Sequence, residues 1–139
     1  MATCLANKGI ETKEFAFTDS NDVASVTQSA ADYADVVYLP TDNTAASNTE
    51  AIANVTVPAK TPVIAGEEGI CKGCGVATLS ISYYDLGMTT GKMAAKILTG
   101  EADISTMPIE FTTATPKYNA SMCETLGITP REGYTAIAE

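Results

Sequence analysis

Apolar and polar positions along the chain alternate between two periods: short continuous apolar runs, and stripes spaced by three or four residues. Val23, Val26, Ala30 and Tyr33 fall on one face of a helix at that spacing. Residues 35–39 (Asp-Val-Val-Tyr-Leu) are almost continuously apolar, as in parallel strands buried on both faces. The next helix takes Ala45, Ala46, Thr49, Ile52 and Ala53 as its inner face, and strands follow at 62–65 and 76–81. A long amphipathic helix over 85–98 carries Leu86, Thr90, Met93 and Ile97 on one side and stops at Gly100. Further elements are expected at 1–8 (the end of a helix stopped by Gly9), at 14–17 and 108–111 (short strands) and at 119–126 (a short helix). Strands alternating with helices at this spacing predict one α/β lobe over residues 1–139, three-layered, with a mostly parallel sheet flanked by helices.

Composition narrows the functions open to such a lobe. The 139 residues suit one compact domain, and 45% hydrophobic content is enough for a core. Seventeen acidic against eight basic side chains give a net charge of −9, which repels nucleic-acid phosphates and anionic membranes, and neither is expected as a partner. No apolar run approaches the ~20 residues of a membrane span. Residues 1–6 lack the basic and apolar regions of an export signal, and nothing before Cys4 could serve as the leader of a lipidated cysteine.

In an open parallel sheet, ligands sit at the carboxyl ends of the strands, where helix amino termini converge. Three polar clusters fall there: Thr18-Asp19-Ser20, Thr41-Asp42-Asn43 and Glu67-Glu68. Asp42 can hold an ammonium group, and Thr41 and Asn43 can both donate and accept. The first two clusters are equally ordinary helix caps, and the glutamates could form a solvated turn. Tyr83 and Tyr84 could stack on a planar ligand, frame a hinge or be buried by packing.

Catalysis has little to stand on. With no histidine in the chain, neither a Ser–His pair nor a nucleophile elbow with its histidine can form. The segment Gly69 to Gly75 (Gly-Ile-Cys-Lys-Gly-Cys-Gly) matches neither a phosphate-binding lysine loop nor a dinucleotide fingerprint. A zinc site would require Cys4 and Cys123 to join Cys71 and Cys74. The glycines around Cys71 and Cys74 suggest a loop holding free or locally bridged thiols. No cofactor, metal or catalytic residue is expected.

Several stretches together resemble one family. They are Ser20-Asn21-Asp22-Val23, the run from Asp35 through Pro40-Thr41-Asp42-Asn43-Thr44, Pro62-Val63-Ile64-Ala65-Gly66-Glu67-Glu68-Gly69, Tyr83-Tyr84-Asp85-Leu86-Gly87, the run from Lys92 to Gly100, and Met107-Pro108-Ile109-Glu110. In order and spacing the set resembles the second, carboxyl-terminal lobe of type I solute-binding proteins of ABC importers, in the branch that binds tryptophan, tyrosine or phenylalanine. The resemblance implies two α/β lobes that close on a small solute, here an amino acid, and deliver it to an ABC permease. It also implies an extracytoplasmic, lipid-anchored parent protein. Carried over by residue, Thr41, Asp42, Asn43, Glu67, Glu68 and Tyr83 are the expected ligand-binding positions, with Asp42 on the ammonium. Relative to the family, the chain begins inside the first helix of the lobe. It therefore lacks the strand that would lie between 14–17 and 35–39, and a first lobe or a second chain is implied as partner. A ligand-sensing regulatory module of the same fold is the alternative function, and a small α/β enzyme a remoter one.

Overall fold

The computed structural model describes residues 2–138. Its sheet has five strands in the order β1 (Val37–Leu39), β2 (Val63–Ala65), β3 (Ala77–Ser80), β4 (Thr115–Tyr118) and β5 (Thr135–Ala136). The first three are parallel, β4 runs antiparallel to β3, and β5 is parallel to β4. Register places Leu39, Ala65 and Thr78 in one row across the sheet and Tyr38, Ile64 and Ala77 in the row facing the other way.

The first row is the core. Helices α2 (Val23–Ala31), α3 (Asn43–Ser47), α4 (Thr49–Ala59) and α5 (Glu68–Cys74) cover it. Buried Val23, Thr27 and Ala30 form the inner stripe of α2, and Ile52 and Thr56 that of α4. Of the stripes expected from sequence, Val26 is only half-buried, Tyr33 lies exposed beyond the end of α2, and the helix drawn through Ala45 to Ala53 is divided at Asn48 into α3 and α4. Val23, Ile52, Val63, Ile70 and Cys71 are sealed from solvent around Leu39, Ala45 and Ala65. Gly73 makes the α4–α5 contact possible, because a Cβ there would stand 2.3 Å from Thr49 Oγ1.

On the opposite face, Ile64, Ala77 and Tyr118 border a cleft of about 230 Å³, closed by Cys123 of α7 (Ala120–Leu126) and by Ile128 and Tyr134 beyond it. Toward β1 this face is bare, with Tyr38 and Val36 exposed. The outer edge of β1 is open as well. Val37 N donates to Pro62 O and Gly66 N to Leu39 O, so the intervening Tyr38 turns its own N–H and C=O away from β2.

Four local expectations are corrected. Residues 14–17 do not form a strand: they have no regular secondary structure, with Phe17 against the core and the Phe15 ring 5.9 Å from that of Tyr33. A strand needs a neighbour for its backbone groups, and no strand among the described residues lies beside β1 on that side. Residues 108–111 are also unpaired; the chain rejoins the sheet only at Thr115. The Cys71-Lys72-Gly73-Cys74 segment lies on helix α5 and not in a loop, because Glu67 caps the helix and the Gly73 contact lets it sit close to α4. Finally, the long helix α6 (Tyr83–Leu98) starts two residues earlier than its apolar stripe predicts, since Ser82 Oγ accepts from Asp85 N as its cap. The short α1 (Ala2–Ala6) ends in a turn at Gly9, whose φ of +74° suits glycine.

Candidate binding site

The loops leaving β1 and β2 touch. Gly66 N donates to Leu39 O at 2.7 Å, and Thr41 Oγ1 reaches Gly66 O at 3.4 Å. A Cβ on Gly66 would lie 2.6 Å from Thr41 N, so only glycine lets the two turns approach this closely. Thr41, Asp42 and Asn43 are thereby brought beside Glu67 and Glu68 on one rim of the sheet, at the amino termini of α3 and α5. The Thr18–Asp22 turn is held instead at the other end of α3, where Asn48 Nδ2, at the helix's carboxyl cap, donates to Ser20 Oγ at 3.1 Å. Tyr83 follows the carboxyl end of β3 and so borders the same edge, exposed and without a hydrogen bond to the other five among the described residues.

The carboxylates on this rim are not equivalent. Both oxygens of Glu67 are engaged: Oε2 accepts from Gly69 N at 2.7 Å and Oε1 from Ile70 N. That side chain is a helix cap. Asp42 caps α3 through Oδ1, which accepts from Ala45 N at 2.8 Å, while Oδ2 accepts no hydrogen bond among the described residues. Glu68 pairs through Oε2 with Lys117 Nζ at 2.6 Å, leaving Oε1 over. Asp22 turns inward on its own loop. The Thr18 amide donating to it is the largest influence holding its carboxyl below the ordinary range. Asp42 Oδ2, Glu68 Oε1, the Thr41 hydroxyl and the exposed Asn43 amide are therefore the rim groups available to a ligand. An unshared carboxylate oxygen beside neutral donors and acceptors suits an ammonium with neighbouring polar atoms.

Lys117 went unnoticed in the sequence. It stands opposite Thr78 on β4, and Pro116 beside it reads as a strand breaker, so nothing in the local pattern pointed to a strand there. The buried thiols lie behind the site. Burial, the largest influence, pushes Cys71 and Cys74 from 9.0 to about 12, and Cys123 also upward. Among the described residues no cluster of cysteine and carboxylate side chains is arranged to hold a metal ion, and no helix is long and apolar enough to cross a membrane.

The sequence profile of the family described as ABC transporter substrate binding protein matches residues 1–139. The chain belongs to that family. Over 92 residues it is 33% identical to the tyrosine-binding protein of Clostridioides difficile, a stretch that spans 66% of this chain and 27% of the relative. Three solved structures superpose on nearly all of it. An ABC domain from Streptococcus pneumoniae in complex with L-Trp is 27% identical at a TM-score of 0.84, over 98% of this chain and 48% of that one. The ligand-free, open substrate binding protein with adhesive properties from Clostridium difficile is 31% identical at 0.77, over 97% and 46%. A conserved domain protein from Vibrio cholerae is 31% identical at 0.82, over 96% and 47%. The chain thus spans about half the length of the solved relatives it matches.

Proposed function

We propose that this chain is one lobe of the solute-receiving component of an ABC importer and binds a free amino acid between its rim and a second lobe. The observation that carries this reading is the β1–β2 junction: the close approach at Gly66 presents the unshared Asp42 oxygen next to Thr41 and Asn43. Support comes from the relatives, one solved with L-Trp and one named for tyrosine, which together make an aromatic amino acid the first ligand to try. Asp42 would take the ammonium, Thr41 and Asn43 the neighbouring polar groups, Glu68 a second donor, and Tyr83 would flank the side chain. Glu67 would act through the α5 terminus it caps. This is binding and not catalysis. On the same reading the parent protein works outside the cytoplasmic membrane, tethered by lipid, and passes its solute to an ABC permease.

One rim alone covers only one side of a ligand, and affinity depends on enclosing it. Calorimetric titration of the 139-residue chain with L-tryptophan, L-tyrosine and L-phenylalanine should give no binding tighter than about 100 µM, a loss of several kcal/mol against a closed site. Joined to a first lobe, the chain should bind one of them at micromolar level or better, and Asp42→Asn should weaken that about 10- to 100-fold, as for a lost charged hydrogen bond. Nanomolar binding by the single lobe, or indifference to Asp42→Asn in the two-lobe form, would overturn the proposal.

A further inference from the structure

Strand β4 holds helix α5 at both ends. Tyr118 borders the cleft on the far side of the sheet, so its neighbours Lys117 and Asn119 point toward the helices. Asn119 Nδ2 donates to Cys71 O and to Lys72 O, each at 3.0 Å, in the last turn of α5. Lys117 Nζ donates to Glu68 Oε2 at 2.6 Å in the first turn. The pair is partly shielded, with the Lys117 side chain 30% and the Glu68 side chain 37% exposed, so salt screens it less than a fully exposed bridge. The described residues form one other ion pair, Lys96–Glu110, which ties α6 to the segment returning from it. Lys72, the other basic residue near this helix face, turns its Nζ to Ala138 O at 3.3 Å. Among the described residues, Lys117 is therefore the one cation set against a rim carboxylate, in a chain whose net charge is −9.

This arrangement fixes the charge that a ligand meets. Glu67 spends both oxygens on amides of α5, and Glu68 shares its charge with Lys117. Asp42, with one oxygen on the Ala45 amide, is left as the rim carboxylate with neither a cation nor a second amide to balance it. An amino acid carries its ammonium and its carboxylate on the same carbon. The ammonium suits Asp42, but a bare Glu68 beside it would repel the carboxylate. Lys117 cancels that repulsion. We propose that Lys117 is a positioning residue that sets the ligand class: acting through Glu68, it makes the rim accept a zwitterionic α-amino acid in preference to the amine that lacks the carboxylate. The inference rests on the reading of the rim as an amino-acid site, and adds to it one residue and one selectivity. A residue that merely holds α5 in place would not discriminate between the two ligands, so selectivity is the quantity to measure.

The test compares L-tryptophan with tryptamine, which keeps the ring and the ammonium and lacks the carboxylate. Both are titrated by calorimetry into a chimera in which this chain replaces the matching half of the Streptococcus pneumoniae protein solved with L-Trp. Lys117→Met should lower the tryptophan-to-tryptamine affinity ratio about tenfold, the effect of one unbalanced charge in partly screened surroundings. Lys117→Arg keeps the charge and should hold the ratio within about threefold of the unsubstituted chimera. Adding Glu68→Gln to Lys117→Met removes the charge that Lys117 balanced, and should bring the ratio back to within about threefold. An equal loss for both ligands with Lys117→Met overturns the proposal, and so does a double variant whose ratio stays shifted; Lys117 then does no more than hold α5. Asp42→Asn separates this outcome from failure of the binding site itself. If it weakens both ligands while Lys117→Met leaves their ratio unchanged, the amino-acid site stands and the role of Lys117 falls. If the chimera binds neither ligand, or Asp42→Asn changes nothing, both fall together.

Discussion

Helices α4 and α6 make an instructive pair. Helix α4 is the less amphipathic of the two by sequence, with Pro58 in its last turn, yet Ile52 and Thr56 are sealed between α2 and α5. Helix α6 is longer, well capped by Ser82 and more clearly striped, yet it buries nothing fully. A stripe specifies that a face seeks cover; whether cover exists depends on what the chain places opposite. For α4 it is the neighbouring helices of one sheet face, and for α6 the described residues supply only their own return segment.

The widest gap between the two regions should appear in thiol chemistry. Raising a thiol from 9.0 to about 12 lowers its thiolate fraction about a thousandfold, and Cys71 and Cys74 are also shielded sterically. With Leu98→Cys introduced at the end of α6, labelling by an aromatic disulfide at pH 8 should modify that position and exposed Cys4 rapidly, while Cys71 and Cys74 wait for unfolding. Rapid native labelling of Cys71 would mean that α5 opens freely in the folded lobe. The same thiols give the lobe an alkaline limit. They hold their protons more tightly folded than unfolded, so their contribution is intact below about 9 and is lost as pH rises from 9.0 toward about 12.

Equilibrium unfolding in urea provides the next contrast. Ile52→Ala removes a fully buried side chain and should cost about 2–5 kcal/mol, whereas Leu98→Ala in α6 should stay within about 0.5 kcal/mol. Similar costs at both sites would show that α6 is packed as firmly as α4. Gly66→Ala forces a Cβ against the Thr41 backbone and should cost about 1–3 kcal/mol, with the largest chemical-shift changes at residues 40–43. Smallest, and of opposite sign, is Thr78→Val: the Thr78 hydroxyl is buried without a partner, so a methyl of the same shape should raise stability by about 1 kcal/mol. A loss on that substitution would show that the hydroxyl is satisfied by a group such as an ordered water.

Much of this molecule could be read from its residue order, and the boundary of what could not has a physical cause. The periods of apolar residues determined α2, α4, α6 and the parallel strands β1–β3, because each pattern reflects interactions within a few residues or burial on a continuous face. Strand-end position was enough to gather Thr41, Asp42 and Asn43 with Glu67 and Glu68. Only the tertiary structure decided which of those carboxylates are spent: Glu67 on two amides of α5, Asp42 on one amide of α3, Glu68 on Lys117. Each division depends on partners or angles that spacing along the chain does not encode. The same holds for residues 14–17, which have the composition of a strand but no neighbouring strand to bond. It holds too for β4, whose pairing with β3 overrides a proline. Local pattern sets what each segment would bury or bond, and the arrangement of the others in space decides whether it can.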